Sequence, residues 1–263
     1  MKKLMIPLLL MSVSFSTLCQ EQQEKPEQSR AERERGDREA MKTEDWSREP
    51  EVVTPGKGTQ PPSDAIVLYG GPEDLAKREG ERGGEPTWEA TENCLTVKPK
   101  TGGIRTMQSF GDVQLHVEWR TPEVVRGNGQ GRGNSGVFLM GKYEVQVLDS
   151  YENETYYNGQ AGSIYKEHIP LVNACLPPGE WQTYDIFFTA PSFNEGGTVE
   201  TPAYITVVHN GVLIQNHVKI WGTTEFIGKH KYTAHPEKLP LLLQDHENPV
   251  SYRNIWIREL KYL

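Results

Sequence analysis

The sequence predicts an all-β protein, a two-sheet antiparallel sandwich of the jelly-roll type. Roughly a dozen short apolar segments follow one another with turn residues between them, and none has the periodicity of a long helix. Glycine (25 residues) and proline (18 residues) are frequent, which favours many turns over long helices. Asn210-Gly211, between two apolar segments, is a strong β-hairpin signal.

The N-terminal segment is typical of an export signal. Lys2-Lys3 precede an apolar run from Leu4 to about Leu18, and Cys19 follows. The run is too short for a stable membrane span. We therefore expect a signal peptide over residues 1–19 and an exported protein, either periplasmic or secreted. Lipid attachment at Cys19 is the alternative, which Leu18 disfavours because a small residue is expected there.

Residues 20–62 are predicted to form a charged linker, and residues 63–263 the globular domain. Up to about Ser47 the linker has no apolar stripe, which favours a disordered spacer, although Glu–Arg pairs between Arg30 and Arg38 are compatible with a transient helix. Pro50–Gly56 is predicted to be an extended arm. The net charge of -8 argues against nucleic acid or an anionic membrane as the partner.

Two cysteines follow the predicted signal peptide, Cys94 and Cys175. Export permits a disulfide between them, and two buried free thiols are the other interpretation. No Cys-x-x-Cys or His-x-x-x-His spacing indicates a zinc site.

The clearest alternating strand is Val113–Arg120, whose apolar residues share one face. The polar residues predicted on its other face are Gln114, His116, Glu118 and Arg120. The other main predicted strands are Ala65–Tyr69, Leu95–Val97, Gly103–Met107, Val137–Met140, Tyr143–Leu148, Tyr184–Phe188, Tyr204–His209, Val212–Ile220, Leu239–Leu243 and Asn254–Tyr262.

A hairpin within Gly133–Tyr151 is predicted to be central to the domain. In its second strand Glu144 and Gln146 share one face. Asp149 follows three residues later, so only a β-bulge would bring it beside them. With that bulge, three acidic or amide side chains converge on one sheet face, and a solvated strand face is the alternative. The glycine-rich segment before the hairpin lacks the ending of a phosphate-binding loop and is predicted to be a flexible rim loop.

A series of short motifs occurs along the domain in a characteristic order. The motifs are Asn134-Ser135-Gly136, Tyr143-Glu144-Val145-Gln146, Leu148-Asp149-Ser150, Gly179-Glu180-Trp181, Asn210-Gly211, Leu243-Gln244-Asp245-His246 and Arg253-Asn254-Ile255. In this combination the chain resembles the 3-keto-disaccharide hydrolase domain family. The resemblance implies a concanavalin A-like (lectin/glucanase) jelly roll that acts on glycosides whose sugar is oxidised to a ketone at C3.

One glucanase family of the same broad fold carries a Glu-x-Asp-x-x-Glu motif, and Glu144-x-Gln146-x-x-Asp149 has that spacing. A retaining glycosidase needs a nucleophile and a general acid, and the amide of Gln146 cannot titrate. We therefore expect deprotonation at C2 of the keto sugar, elimination at C1 and hydration, which together amount to hydrolysis. A non-catalytic carbohydrate-binding, lectin-like module is the alternative.

The candidate catalytic residues are Glu144, Asp149 and His246. Histidine titrates near neutral pH, so His246 is a candidate base or acid, and a structural histidine is the alternative. The two carboxylates are candidates for proton transfer or for holding a divalent metal, whose identity the sequence leaves unknown. The candidate substrate-binding residues are Gln146, Arg120, Glu118, His116, Asn134, Tyr165 and Arg253. For Arg253, a salt bridge with Glu118 or Asp149 is the alternative. The sequence leaves the oligomeric state open.

Overall fold

The computed structural model describes residues 30–261 of the protein. Within this range there are one α-helix, four short 3-10 helices and fifteen β-strands. The helix is α1 (Arg30–Ala40), and the 3-10 helices are Met41–Thr43, Pro72–Lys77, Gly129–Gly131 and Tyr157–Gly159. The strands are β1 (Ile66–Tyr69), β2 (Arg78–Gly80), β3 (Glu89–Ala90), β4 (Leu95–Thr96), β5 (Ile104–Phe110), β6 (Val113–Arg120), β7 (Ser135–Leu139), β8 (Tyr143–Val147), β9 (Gln182–Thr189), β10 (Ser192–Phe193), β11 (Val199–Thr201), β12 (Tyr204–His209), β13 (Val212–Lys219), β14 (Leu239–Leu243) and β15 (Ser251–Glu259).

Two antiparallel sheets make up the domain. The larger has eight strands in the order β13-β12-β9-β6-β15-β4-β3, with β1 also paired to β15. The smaller has five strands in the order β2-β5-β14-β7-β8, and β10 and β11 form a separate ribbon. The predicted all-β fold, a concanavalin A-like jelly-roll sandwich, is confirmed.

The core is built from the inner faces of both sheets. Leu115 and Val117 of β6 are fully buried, as are Val145 and Val147 of β8, and all four belong to one apolar cluster. Because successive side chains of a strand point to opposite faces, the alternate residues of β6 and β8 lie on the outer faces of their sheets. The polar side chains considered for function are therefore divided between two outer faces.

The turn chemistry explains the two hairpins that the sequence predicts. Asn210 and Gly211 both have positive φ (51° and 78°) and join β12 to β13, as expected for an Asn-Gly turn. Met140 and Gly141 likewise have positive φ (56° and 63°) between β7 and β8.

Strand β8 differs from the prediction at its end. It pairs with β7 without a register shift from Tyr143 to Val147 and stops there, so the expected bulge that would bring Asp149 beside Gln146 is absent from this pairing. The other edge of β8 is covered, because Gln146 N donates to the carbonyl of Ser163 (3.0 Å) and Ile164 forms a bridge with Val145.

The N-terminal unit ends at Glu51, and its described part contains α1. The sequence favoured a disordered spacer there, whereas the structure has an exposed helix supported by pairs such as Arg30–Glu34 (2.9 Å). The predicted signal peptide and Cys19 lie outside the described residues. No helix in residues 30–261 has the length and apolar character needed to cross a membrane.

Both cysteines of the domain are free thiols. Burial raises the pKa of Cys175 to about 12, and its Sγ lies 3.8 Å from the carbonyl oxygen of Leu148. The structure therefore supports free thiols over the disulfide.

Candidate functional site

Glu144 lies on the outer face of the five-stranded sheet, above Gly136 of the neighbouring strand. Only 4% of its surface is exposed. A Cβ atom at position 136 would lie 2.6 Å from Glu144 Oε1, so glycine at this position provides the space that the carboxyl occupies. Burial raises the pKa of Glu144 to about 8. At neutral pH this side chain is therefore mostly a neutral carboxylic acid, which can donate a proton.

The side-chain amide of Gln146 has hydrogen-bond acceptors on both sides. In one orientation Nε2 donates to Gln130 Oε1 (3.0 Å) and Asn134 Oδ1 (3.4 Å), and the amide oxygen faces the carboxyl of Glu144. In the reversed orientation Nε2 donates to Glu144 Oε1 (2.9 Å) and to the carbonyl of Ser135 (3.1 Å). The first orientation needs a proton on Glu144. The second suits a carboxylate there but places the Gln146 amide oxygen 3.0 Å from Gln130 Oε1. We call Glu144, Gln146, Gln130 and Asn134 the acid site.

A clamp holds the loop that supplies Gln130 and Asn134. Arg132, between them, forms an ion pair with Asp149 (Nε–Oδ2 2.6 Å) and donates to the carbonyls of Tyr151 (3.0 Å) and Glu152 (3.3 Å). The side chains of Arg132 and Asp149 are only 14% and 4% exposed. Asp149 therefore stabilises the position of the loop, in addition to any contact with a ligand.

The same loop is fixed at a second point. Asn153 accepts a hydrogen bond from Gly129 N (2.8 Å) and donates to its carbonyl (3.1 Å). Gln130 Nε2 donates to Thr155 Oγ1 (3.0 Å) and to the carbonyl of Gly159 (2.8 Å). The rim loop that the sequence predicts to be flexible is instead held by many hydrogen bonds, and the orientation of the Gln130 amide is set by its two acceptors.

A cavity of about 960 Å³ lies at the end of the sheet next to the acid site, and we call it the end cavity. Its polar lining includes Arg126, Arg132, Asp149, His246 and Asn248. The imidazole of His246 is exposed and makes no hydrogen bond within the described residues. Asp149 and His246 therefore share one cavity.

Strand register places the acid site and the end cavity next to each other. Gln146 is opposite Gly136, whose carbonyl accepts a hydrogen bond from Gln244 N (3.0 Å), so these three residues form one row across β8, β7 and the end of β14. His246 lies two residues after Gln244 and Asp149 lies three residues after Gln146, and both line the cavity. The buried Oε1 of Gln244 has no partner among the described residues.

At the opposite end of β8, two loops cover Glu144. Thr224 Oγ1 accepts a hydrogen bond from Glu144 N (3.0 Å), and Tyr165 N donates to the carbonyl of Glu144 (3.3 Å). The hydroxyl of Tyr165 is 2.6 Å from that of Tyr156. Two of the predicted substrate-binding residues therefore lie at the acid site, Tyr165 beside Glu144 and Asn134 beside Gln146.

Comparison with known proteins identifies the family. Residues 65–258 match the model of the 3-keto-alpha-glucoside-1,2-lyase-like domain. The chain belongs to this family. It is 50% identical to a protein of Parabacteroides distasonis ATCC 8503 with a known crystal structure, which was described as a glycosyl hydrolase by inference. The two structures superpose with a TM-score of 0.80, over 84% of this chain and 96% of that chain.

A second protein of the same organism, also described as an inferred glycosyl hydrolase, shares the fold at 17% identity. Its TM-score is 0.54, over 75% of this chain and 94% of that chain. None of the curated proteins matches the chain.

Four residues predicted to bind substrate lie elsewhere in this 3-keto-alpha-glucoside-1,2-lyase-like domain. His116, Glu118, Arg120 and Arg253 are on β6 and β15, on the outer face of the eight-stranded sheet. Arg253 forms an ion pair with Glu118, and the guanidinium groups of Arg253 and Arg120 lie 4.1 and 4.6 Å from the ring centroid of Trp181. The geometry therefore does not bring these four side chains into the acid site.

The segment that precedes the first strand reaches this second face at Thr59. Thr59 donates to Glu118 Oε1 (2.9 Å), and its carbonyl accepts hydrogen bonds from Asn254 (2.8 Å) and Trp256 (2.9 Å). The ring of Trp256 stacks on His116 at 5.2 Å. Thr59, which follows the predicted arm Pro50–Gly56, thus joins the polar network of this face.

The charges of this network shift two pKa values in opposite directions. For His116, burial would lower the pKa, but the carboxylates of Asp185 (2.7 Å) and Glu118 (3.7 Å, an ion pair without a hydrogen bond) raise it to about 8. For Glu118, burial would raise the pKa, but His116, Asn254, Arg253 and Thr59 together hold it well below its usual range. Both groups are therefore charged at neutral pH.

Replacing Glu118 with Gln should destabilise the fold by about 1–3 kcal/mol without weakening substrate binding, because it removes the charge that Arg253 and His116 face. The pKa of Glu118 is lower in the folded than in the unfolded protein. The loss in unfolding free energy caused by the substitution should therefore be greatest above the ordinary pKa of 4.5 and should shrink as pH falls below it. Denaturant unfolding at several pH values measures this. Asp64→Asn is the control, because that carboxylate also pairs with an arginine (Arg258) on a more exposed part of the chain. A loss of substrate affinity in Glu118→Gln would instead restore the predicted binding role.

Sequence reasoning missed several side chains of the site. Gln130 and Arg132 lie in a glycine-rich loop, and only the composition of that loop distinguished it in the sequence. Gln244 is two residues before His246, in the Leu243-Gln244-Asp245-His246 motif. Their roles depend on contacts across the sheet. Among the described residues no group of three or more His, Cys, Asp or Glu side chains has the arrangement of a metal site.

Proposed function

We propose that the protein cleaves 3-keto-glycosides, with Glu144 as the proton donor to the leaving group and His246 as the base. The observation that carries this assignment is the buried carboxyl of Glu144, whose pKa of about 8 keeps it protonated at neutral pH. Membership of the 3-keto-alpha-glucoside-1,2-lyase-like family and the inferred glycosyl hydrolase function of the Parabacteroides distasonis protein support a substrate of this class.

The ketone at C3 makes cleavage possible without a nucleophilic carboxylate. The carbonyl acidifies the proton at C2, and a base removes it. The electron pair forms the C1=C2 double bond as the C1–O bond breaks, and the leaving oxygen takes a proton from an acid. Water then adds at C1 while a proton returns to C2, so the net reaction is hydrolysis. One base and one acid are sufficient for this sequence.

The site provides candidates for each requirement. His246 has a free, exposed imidazole in the end cavity, which suits a base acting on a sugar held there. Glu144 is the acid. Gln146 and Gln244 lie in the row between Glu144 and the residues that line the end cavity, and the buried Oε1 of Gln244 has no hydrogen-bond partner among the described residues. We assign Asp149 to the clamp with Arg132.

The proposal includes export of the protein, as the sequence of residues 1–19 indicates. The N-terminal residue of protein recovered from the cell envelope fraction would test it. Cleavage after Cys19 supports a processed soluble product, and a diacylglycerol-modified Cys19 supports the lipoprotein alternative.

One assay tests the proposed activity. The purified protein is incubated with a 3-keto-glucoside and with the same glucoside unoxidised, each with and without a chelator. We expect release of the leaving group from the keto sugar alone. Release only from the unoxidised sugar would restore an ordinary glycosidase mechanism, and sugar binding without release from either would favour the lectin-like alternative. Loss of activity with chelator would show that a divalent metal takes part.

A further inference from the structure

A group of aromatic rings surrounds the ammonium of Lys166. The ring centroids of Phe226, Tyr156 and Tyr165 lie 4.2, 5.5 and 5.8 Å from Lys166 Nζ. Lys166 Nζ also donates to the carbonyl of Phe226 (2.7 Å), which ties two loops together. We call these four residues the aromatic cluster.

The aromatic cluster borders the acid site on the side away from the end cavity. Tyr165 is bonded through its backbone to Glu144, and Phe226 is two residues from Thr224, which accepts the hydrogen bond from Glu144 N. Thr224 N also donates to the carbonyl of Lys142, just before β8 begins (2.9 Å). The end cavity lies beyond the other end of β8, so Glu144 stands between two regions of different character.

The chemistry of the two regions differs. The end cavity combines hydrogen-bonding side chains, among them Arg126, His246 and Asn248, with the aliphatic side chains of Val124, Val125 and three prolines. In the aromatic cluster the polar groups already bond to one another, since the two tyrosine hydroxyls are 2.6 Å apart and the lysine is held by a carbonyl. Phe226 and its neighbour Ile227 are nevertheless 68% and 81% exposed. The cluster thus offers ring and aliphatic surface to a ligand.

We infer that the aromatic cluster binds the leaving group of the substrate, and that it fits an aryl group better than a second sugar. This inference rests on the proposed function. We place the keto sugar in the end cavity, where arginine, histidine and asparagine side chains can bond its hydroxyls, and the glycosidic oxygen at Glu144, so that the leaving group extends toward Phe226. An aryl ring gains contact with aromatic surface there, whereas the polar groups of the cluster are already bonded and give a sugar little to bind.

Two substrates with the same keto sugar test the inference, a 4-nitrophenyl 3-keto-glucoside and a 3-keto-disaccharide with glucose as leaving group. Phe226→Ala should lower kcat/KM for the aryl substrate about tenfold and that for the disaccharide by less than about twofold. Phe226→Tyr should retain the wild-type ratio of the two values. Phe187→Ala is the matched control, because this phenylalanine is half-exposed on the larger sheet and should leave both values unchanged.

For each substrate, the ratio of the variant kcat/KM to the wild-type kcat/KM is used, because this ratio does not depend on the chemical reactivity of the leaving group. Equal losses on both substrates would overturn the inference and assign the cluster to loop closure, and a larger loss on the disaccharide would assign it to a sugar. Absence of turnover of both substrates by the wild type would contradict the proposed function instead. In that event, calorimetric binding of the unoxidised 4-nitrophenyl glucoside to the wild type and to Phe226→Ala decides the inference, and equal affinities would overturn it.

Discussion

Replacing Glu144 with Gln should lower the turnover of a 3-keto-glycoside by about 10²- to 10⁴-fold while substrate affinity changes little. The amide has the size of the carboxylic acid but cannot transfer a proton. In the wild type, the rate should fall as pH rises through about 8, where Glu144 loses its proton, and the residual activity of the variant should lack this decline. Initial rates across pH 5 to about 10 measure both effects.

The same substitution should stabilise the protein at high pH. Glu144 has a folded pKa of about 8 against an ordinary value of 4.5, so its favourable contribution is full below pH 4.5 and is lost as pH rises through 8. Above that pH the wild type keeps a buried carboxylate without an ion-pair partner among the described residues, at a cost on the order of 5 kcal/mol. We expect Glu144→Gln to match the wild type in denaturant unfolding at pH 4 and to exceed it at about pH 9.

Glu167→Gln is the matched control for both measurements. Glu167 is also a buried glutamate, and burial raises its pKa to about 7, although Trp221 N and Gly222 N oppose the shift. It holds Trp221 N at 2.6 Å, outside the acid site. If Glu167→Gln lowered turnover as much as Glu144→Gln, the loss would reflect a general response to removing a buried carboxyl, and Glu144 would not be the acid.

Most of the fold follows from local patterns in the sequence. The alternation of β6 predicts both its bounds and the face that enters the core, and the Asn210-Gly211 turn predicts the β12–β13 hairpin. The pairing of Glu144 with Gln146 on one face follows from the same alternation. These features are determined by residues close to one another in the chain, so they can be predicted from the sequence.

The composition of the site depends on distant contacts and was predicted only in part. Alternation shows that His116 and Glu118 share a face, but the sequence does not show that Thr59, about sixty residues earlier, covers that face. Asp149 was expected on a bulged strand, whereas β8 ends at Val147 and an arginine from the preceding loop takes the carboxylate. Spacing similar to a glucanase motif thus predicted Asp149 beside Gln146, whereas its carboxylate pairs with Arg132.

The ion pair between Arg132 and Asp149 should be the most sensitive structural point of the site. Asp149→Asn removes the negative charge that pairs with the largely buried guanidinium of Arg132. We expect a loss of about 3 kcal/mol in unfolding free energy. Since Arg132 lies between Gln130 and Asn134, displacement of the loop should also disturb their bonds to Gln146 and lower kcat. Unfolding and initial rates measured on the same preparation test both effects.

A double-substitution cycle separates a clamp from a catalytic carboxylate at Asp149. If the pair only positions the loop, Arg132→Gln alone should lower kcat as Asp149→Asn does, and the double variant, which has no unpaired charge, should recover stability and part of the activity. If Asp149 itself transfers a proton, as its spacing from Glu144 first suggested, the double variant should be as inactive as Asp149→Asn. The clamp predicts that activity follows the charge balance of the pair, and catalysis by Asp149 predicts that activity follows Asp149 alone.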